Sequence, residues 1–125
     1  MITFTEGGNG HDVGQRVPAL WVYGSGQLYP AFAVNGHGNY PDSFASNTCS
    51  LGKWHSVEFS QSLKNDKHMF RVVVDGEDVI ISVENTKPRT FSNVKMFAAN
   101  NFHHPLQGSI KNLLINTDSS GVCGG

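Results

Sequence analysis

The sequence predicts an all-β protein, built as a two-sheet antiparallel β-sandwich. Three observations carry that prediction. In residues 53–86, Val57 and Phe59 alternate with Glu58 and Ser60, and Phe70, Val72 and Val74 alternate with Met69, Arg71 and Val73. A period of two is what strands with one buried face require. Asp75-Gly76 then separates this run from Val79, Ile81 and Val83, and Asp-Gly between apolar runs suits a type I′ hairpin, where positive φ is needed. Finally, 14 glycines and 8 phenylalanines, with few Leu, Glu and Lys in helical spacing, suit short strands joined by tight turns. Helix content is expected near zero.

In chain order, residues 1–5 (MITFT) read as a strand, and the Gly/Asn/Asp cluster of 6–12 reads as a loop. Residues 16–22 and 28–34 form a hairpin broken at 23–27, with Pro18 and Pro30 expected at a strand start, an edge or a bulge. Residues 35–42 are the longest turn-rich run and are expected as a loop able to carry function. A weak strand follows over 44–49, then the central block, a break at 87–89, and a strand over 91–99. A second loop is expected over 100–105 and a last strand over 109–116. The domain thus spans 1–116, and 117–125 is a flexible Ser/Gly-rich tail. Val57, Phe59, Phe70, Val72, Val74, Ile81, Met96, Ile110 and Leu114 are the expected core, together with Trp21 and Trp54.

With 125 residues, one domain and one site region are expected. A net charge of −1 and 15% charged residues give no broad field to attract nucleic acid or an anionic membrane. No apolar run approaches the roughly 20 residues of a spanning helix, so membrane insertion is not expected, and no signal peptide is read at the N-terminus. Two cysteines, Cys49 and Cys123, allow one intrachain bridge. Its loop of about 75 residues would stabilise the fold by roughly 4 kcal/mol on the chain-entropy model, which favours a secreted, extracellular setting.

Gly52-Lys53-Trp54-His55-Ser56-Val57, then Val74-Asp75-Gly76, then Gly108-Ser109-Ile110-Lys111-Asn112-Leu113, together with 91–98 (FSNVKMFA), resemble a laminin G-like domain. The resemblance lies in the succession of these blocks and implies a jelly roll of the concanavalin type. It also implies that the first strand or two of the usual pattern are missing. First and last strands are neighbours in that family, so 109–116 would keep an open edge whose only charge is Lys111, favouring a homo-oligomer or a partner strand. The family's usual bridge needs a cysteine where Ser109 stands. Cys123 therefore pairs with Cys49, pairs with another chain, or stays free. Calcium is implied by the resemblance too, through loop oxygens and an acid just before the strand that starts at Arg16. Gln15 stands there, a neutral oxygen, with Asp12, Asn39 and Asp42 as nearby substitutes.

For catalysis, the Glu-x-Asp-x-Glu spacing that puts two carboxylates on one strand face is absent, and Glu77-Asp78 are adjacent. His103-His104 with His37 or His11 complete no spaced metal set. Aromatic rings beside Asn, Asp and Gly offer a sugar platform, and Trp21, Tyr23, Tyr29, Tyr40 and Phe102 are candidates. The expected ligand-binding residues are Tyr23, Asn35, His37, Asn39, Tyr40, Asp42, Asn101, Phe102 and His103, on one rim of the sandwich. Asn47-Thr48-Cys49 is only the cysteine form of a glycosylation acceptor, and no Asn-x-Ser/Thr occurs. The expectation is a non-enzymatic extracellular recognition module for glycan or protein. The alternative is an oligomerising structural or adhesive unit, and a glycoside hydrolase ranks third.

Overall fold

The structure, a computed structural model, describes residues 2–45, 48–98 and 109–116. Eight strands run in order as β1 (Ile2–Thr5), β2 (Ala19–Val22), β3 (Leu28–Val34), β4 (His37–Tyr40), β5 (Val57–Lys64), β6 (Lys67–Val74), β7 (Asp78–Glu84) and β8 (Lys95–Phe97). No helix occurs among the described residues. The strands form two antiparallel sheets, one of five in the order β4-β3-β2-β1-β8 and one of three in the order β5-β6-β7, consistent with a β-sandwich.

Tight turns set the register. Asn35 and Gly36, with φ of 55° and 83°, join β3 to β4, and Asn65 and Asp66, at 52° and 61°, join β5 to β6. Asp75 and Gly76, at 55° and 72°, occupy the middle of the turn closed by the Glu77 N–H to the Val74 carbonyl at 3.2 Å. Two successive positive φ values define the type I′ turn, whose twist matches that of the strands it joins. Asn and Asp tolerate this region because their short polar side chains bond locally. The Asp75-Gly76 turn is the one expected from sequence.

The sheets meet through one apolar layer. Val34 of β3 and Phe70 and Val72 of β6 are fully buried, with Phe32, Tyr40, Val57, Phe59, Ile80, Ile81 and Val83 packed around them. The Phe32 and Phe70 rings stack with centroids 4.6 Å apart and an angle of 7°. Phe70, Val72 and Val74 are buried as expected, whereas Val57, Phe59 and Ile81 are half-buried. β3 is buried on both faces, because on its other side Ala31 packs with Ala19 and Trp21 of β2 and Ala33 is buried too.

One buried amide helps tie the two sheets together. Asn85, 2% exposed, lies just past β7. Its Nδ2 donates to the Ala33 carbonyl at 3.1 Å and to Gln61 Oε1 at 2.8 Å. Its Oδ1 accepts from the Asn35 N–H at 2.9 Å and the Lys87 N–H at 3.1 Å. Its own N–H reaches the His68 carbonyl at 2.7 Å. Both donors and both acceptor sites of the side-chain amide are thus satisfied, linking the end of β3 to β5 and β6.

Four sequence expectations are corrected. Residues 109–116 form no strand, and Ile110 and Leu114 are exposed, Leu114 to 85%. The reason is topological: β1 is flanked by β2 on one side and by β8 on the other, so it offers that segment no free edge. Met96 is exposed because β8 is itself an edge strand of three residues. Trp54 is 57% exposed, since it precedes β5 and lies beneath the Lys111 ammonium, 4.2 Å from the ring centroid. Among the described residues of 44–49, a single bridge, Thr48 to Gln27, replaces the weak strand.

Replacing Asn85 with Ala strands the Asn35 and Lys87 N–H groups and the Ala33 carbonyl. At about 1–3 kcal/mol for each buried polar group left unpaired, a total loss of about 3 kcal/mol is expected. Urea unfolding measures it, and a loss below about 1 kcal/mol would show that the clamp is dispensable.

Candidate functional site

The far face of the five-stranded sheet carries the densest polar network of the described residues. Register places Thr3 opposite Ala19, Ala19 opposite Ala31, and Trp21 opposite Tyr29, so all five side chains share this face. The loop after β1 folds back over it. Gly7 N–H donates to Thr5 Oγ1 at 2.9 Å, that hydroxyl donates to the Gly8 carbonyl at 3.0 Å, and Glu6 N–H reaches the Gly14 carbonyl at 2.8 Å. Glu6 is held further by an ion pair with Arg89 and by the Ser92 N–H at 2.7 Å. At its tip the loop backbone lies on β4. A Cβ at Gly38 would come within 2.2 Å of the His11 carbonyl oxygen and 2.4 Å of the Asp12 carbonyl carbon, so only glycine fits.

This cover brings Arg16 inside. Arg16 is 8% exposed, and its guanidinium carbon stands 4.5 Å over the Trp21 ring. Its Nη1 donates to Asn39 Oδ1 at 2.5 Å, its Nη2 to the Asn9 carbonyl at 3.2 Å, and its Nε to Asn9 Oδ1 at 3.3 Å. Burial pushes the guanidinium below its ordinary pKa, opposed by Tyr29, Asp42 and Tyr23. Asn39, buried on β4, relays the contact outward, its Nδ2 donating to Tyr29 Oη at 3.1 Å and Asp42 Oδ1 at 3.0 Å. Tyr29 Oη in turn donates to Asp42 Oδ1 at 2.6 Å. Burial, then the bond to Asp42, raises the Tyr29 phenol, while the Tyr29 hydrogen bond holds the Asp42 carboxyl below the usual range. Asp42 is therefore an exposed, ionised carboxylate with one oxygen fixed by two donors.

Aromatic rings flank it. Tyr29 meets Phe44 edge to face at 5.5 Å and Trp21 at 5.8 Å, and Phe44 meets Tyr23 at 5.0 Å. Tyr23 and Phe44 remain 46% and 45% exposed. A fixed carboxylate beside two open rings can bind a ligand that has both an apolar face and polar groups.

Of the residues expected from sequence, Tyr23, Asn39 and Asp42 come together here. Asn35 does not: it sits at the other end of β3, where its Oδ1 accepts from the Thr86 N–H at 2.7 Å and hydroxyl at 2.9 Å. His37 is exposed at that same end. Tyr40 faces the inter-sheet layer, packed with Val34, Phe70 and Val72. The loop expected over 35–42 is instead a two-residue turn followed by β4, whose backbone pairs with β3. Asn101, Phe102 and His103 lie outside the described residues, as does Cys123, while Cys49 is half-buried and its N–H bonds the Gly26 carbonyl at 2.8 Å. For calcium, Gln15 Oε1 accepts from the Asp12 N–H at 3.3 Å, and Arg16 occupies Asn39 Oδ1. Among the described residues no three His, Cys, Asp or Glu side chains gather into a metal set. Arg16, Asn9 and Phe44 are the residues sequence reading missed. The pairing of Trp21 with Tyr29 is the signal that leads to them, once the β2–β3 register is known.

A second constellation sits at the Asp75-Gly76 hairpin. His55 Nδ1 is 2.8 Å from Asp75 Oδ2, and its Nε2 is 3.3 Å from Ser50 Oγ but 2.7 Å from the Ser50 carbonyl oxygen. Residue types match a nucleophile, base and orienting acid. The short contact to a carbonyl, an obligate acceptor, puts a proton on Nε2, and Asp75 puts one on Nδ1. The imidazole is then a cation with no lone pair for Ser50. Asp75 first, and the Ser50 carbonyl second, raise the His55 pKa, and His55 with the Ser56 N–H lowers that of Asp75.

No family model, no curated protein and no solved structure matches this chain. Fold and geometry therefore define the class directly: an all-β protein of two antiparallel sheets with a carboxylate and aromatic patch on the larger one.

The His55 to Asp75 contact makes stability depend on pH in a definite direction. A raised histidine contributes stability that is fully present below its unfolded value of about 6.5 and lost as pH climbs through the folded value. The Asp75 contribution is present above the ordinary carboxylate range and lost as pH falls through its depressed folded value. Thermal unfolding between about pH 6 and pH 9 is expected to show a falling midpoint in the parent chain, with that component absent from His55→Asn. Equal slopes in the two proteins would contradict the assignment.

Proposed function

We propose that this chain is a non-enzymatic recognition module of the laminin G-like, concanavalin-type jelly-roll class, working outside the cell and binding glycan through the patch of Tyr23, Tyr29, Asn39, Asp42 and Phe44. The observation that carries the reading is the pairing of two half-exposed rings with an exposed carboxylate held by Tyr29 and Asn39. Sugars present an apolar C–H face and a rim of hydroxyls, so they match ring faces beside a fixed acceptor. The patch rests on β2, β3 and β4 and on the short 41–45 segment, so little is ordered on binding. The sequence blocks around Trp54, Asp75 and Ile110 support the family reading. The doubly held His55 favours a structural staple over a catalytic base.

A second reading, self-association, is favoured by a separate observation. Leu51, Trp54, Ile110, Leu113, Leu114 and Ile115 are all exposed large apolar residues. Lys111 over the Trp54 ring brings the two segments together, and exposed apolar patches mark association sites. Sedimentation equilibrium across protein concentration tests it, and a monomer throughout would remove it.

For the first reading, Tyr23→Ala and Phe44→Ala are each expected to weaken glycan binding about tenfold while lowering stability by only about 1 kcal/mol, because both rings are half-exposed. A glycan array followed by calorimetry on the best hit reads both. Unchanged affinity in the folded double variant would place the binding site elsewhere.

A further inference from the structure

Resting on that reading, we infer that the patch selects uncharged saccharides, anchored by a hydroxyl that donates to Asp42, and rejects sulfated or carboxylated ones. Arg16 is the cation set into the patch, and it is turned inward: Nη1 is committed to Asn39, Nη2 and Nε to Asn9, and the plane lies over Trp21. With 8% of its surface exposed, Arg16 presents little of itself to an incoming anion.

The two neutral donors that touch Asp42 are committed to it as well. Tyr29 Oη donates to Asp42 Oδ1, and Asn39 Nδ2 divides its donation between Asp42 and Tyr29. All three bonds converge on one carboxylate oxygen or on the phenol that serves it. Among the described residues Asp42 Oδ2 takes part in none of these bonds and belongs to an exposed side chain. What the patch offers a ligand is therefore an anionic acceptor on Tyr29, next to the contacting, half-exposed rings of Phe44 and Tyr23.

A sugar hydroxyl both donates and accepts, so it can bond Oδ2 while the C–H face of the ring lies on Tyr23 or Phe44. A sulfate or carboxylate would meet the like charge of Asp42, with the Arg16 guanidinium turned away from it. His11 is near enough to act on Asp42 electrostatically, so the charge preference is to be measured at about pH 8, where histidine is ordinarily neutral.

The experiment compares, at that pH and low salt, neutral oligosaccharides with the same oligosaccharides bearing sulfate or sialic acid, on the parent chain and on Asp42→Asn. Like-charge repulsion at contact distance predicts about a tenfold preference for the neutral member of each pair in the parent chain. In Asp42→Asn the gap should close to about threefold or less. Equal or tighter binding of the anionic member by the parent chain would overturn the inference while leaving the glycan-binding reading intact. Displacement of bound sugar by a simple tetraalkylammonium ion at lower concentration than free sugar would overturn it in favour of a cationic ligand. Failure of every glycan to bind would overturn both readings together. Should Asp42→Asn not fold, the paired comparison on the parent chain decides alone.

Discussion

The fold depends on keeping two sheets of unequal size in register across a thin apolar layer, and Asn85 is the group that does this with direction. Hydrophobic contact between Val34, Phe70 and Val72 brings the sheets together but tolerates sliding, since apolar packing is not directional. Four side-chain hydrogen bonds at fixed geometry do not tolerate it. A fully satisfied buried amide contributes little net energy compared with an apolar core, yet it penalises every alternative register by leaving its partners unpaired. The same contact pins the Asn35 turn, and so fixes where β4 begins.

Where β4 begins decides the site. Asn39 must face away from the apolar layer to receive Arg16, and Tyr40, one residue on, must face into it. A shift of one residue would exchange them, placing an amide in the core and a phenol under the guanidinium. Arg16 then plays on the far face the part that Asn85 plays between the sheets. It is a buried polar centre bonded to Asn9 and Asn39 and stacked on Trp21, and its influence passes through Asn39 to Tyr29 and Asp42. Residues that meet the solvent are thereby held by residues that do not.

How much of this was legible in the sequence follows from how local each determinant is. β3 was read with its own ends, Leu28 to Val34, and the Asp75-Gly76 turn was read with its backbone type, because period-two patterning and dipeptide turn chemistry act over a few residues. β4 was not, because Asn35-Gly36-His37-Gly38 has the composition of a loop, and only its pairing with β3 makes it a strand. Residues 109–116 had the right alternation and no partner, since β8 had already taken the open side of β1. Trp54 has the apolar bulk of a core residue, but its place before β5 leaves it on the surface under Lys111. Tyr23, Asn39 and Asp42 were singled out from loop composition and the fold brings them to one face, while Arg16 was passed over. A buried arginine is specified by a tryptophan and two asparagines on other segments, and nothing in its own neighbourhood announces them.

The proposed binding surface is a rigid sheet face that presents Asp42 on Tyr29, with the Phe44 and Tyr23 rings next to it. It is tested most directly by nuclear magnetic resonance, following the aromatic proton resonances of the isotopically labelled chain during titration with neutral oligosaccharides. The account predicts that the Tyr23, Tyr29 and Phe44 ring signals shift together and saturate with one affinity, while Phe59, Phe70 and Trp54 stay in place. Shifts centred on Trp54 and the 109–116 segment, with the Tyr23 and Phe44 rings unmoved, would contradict it.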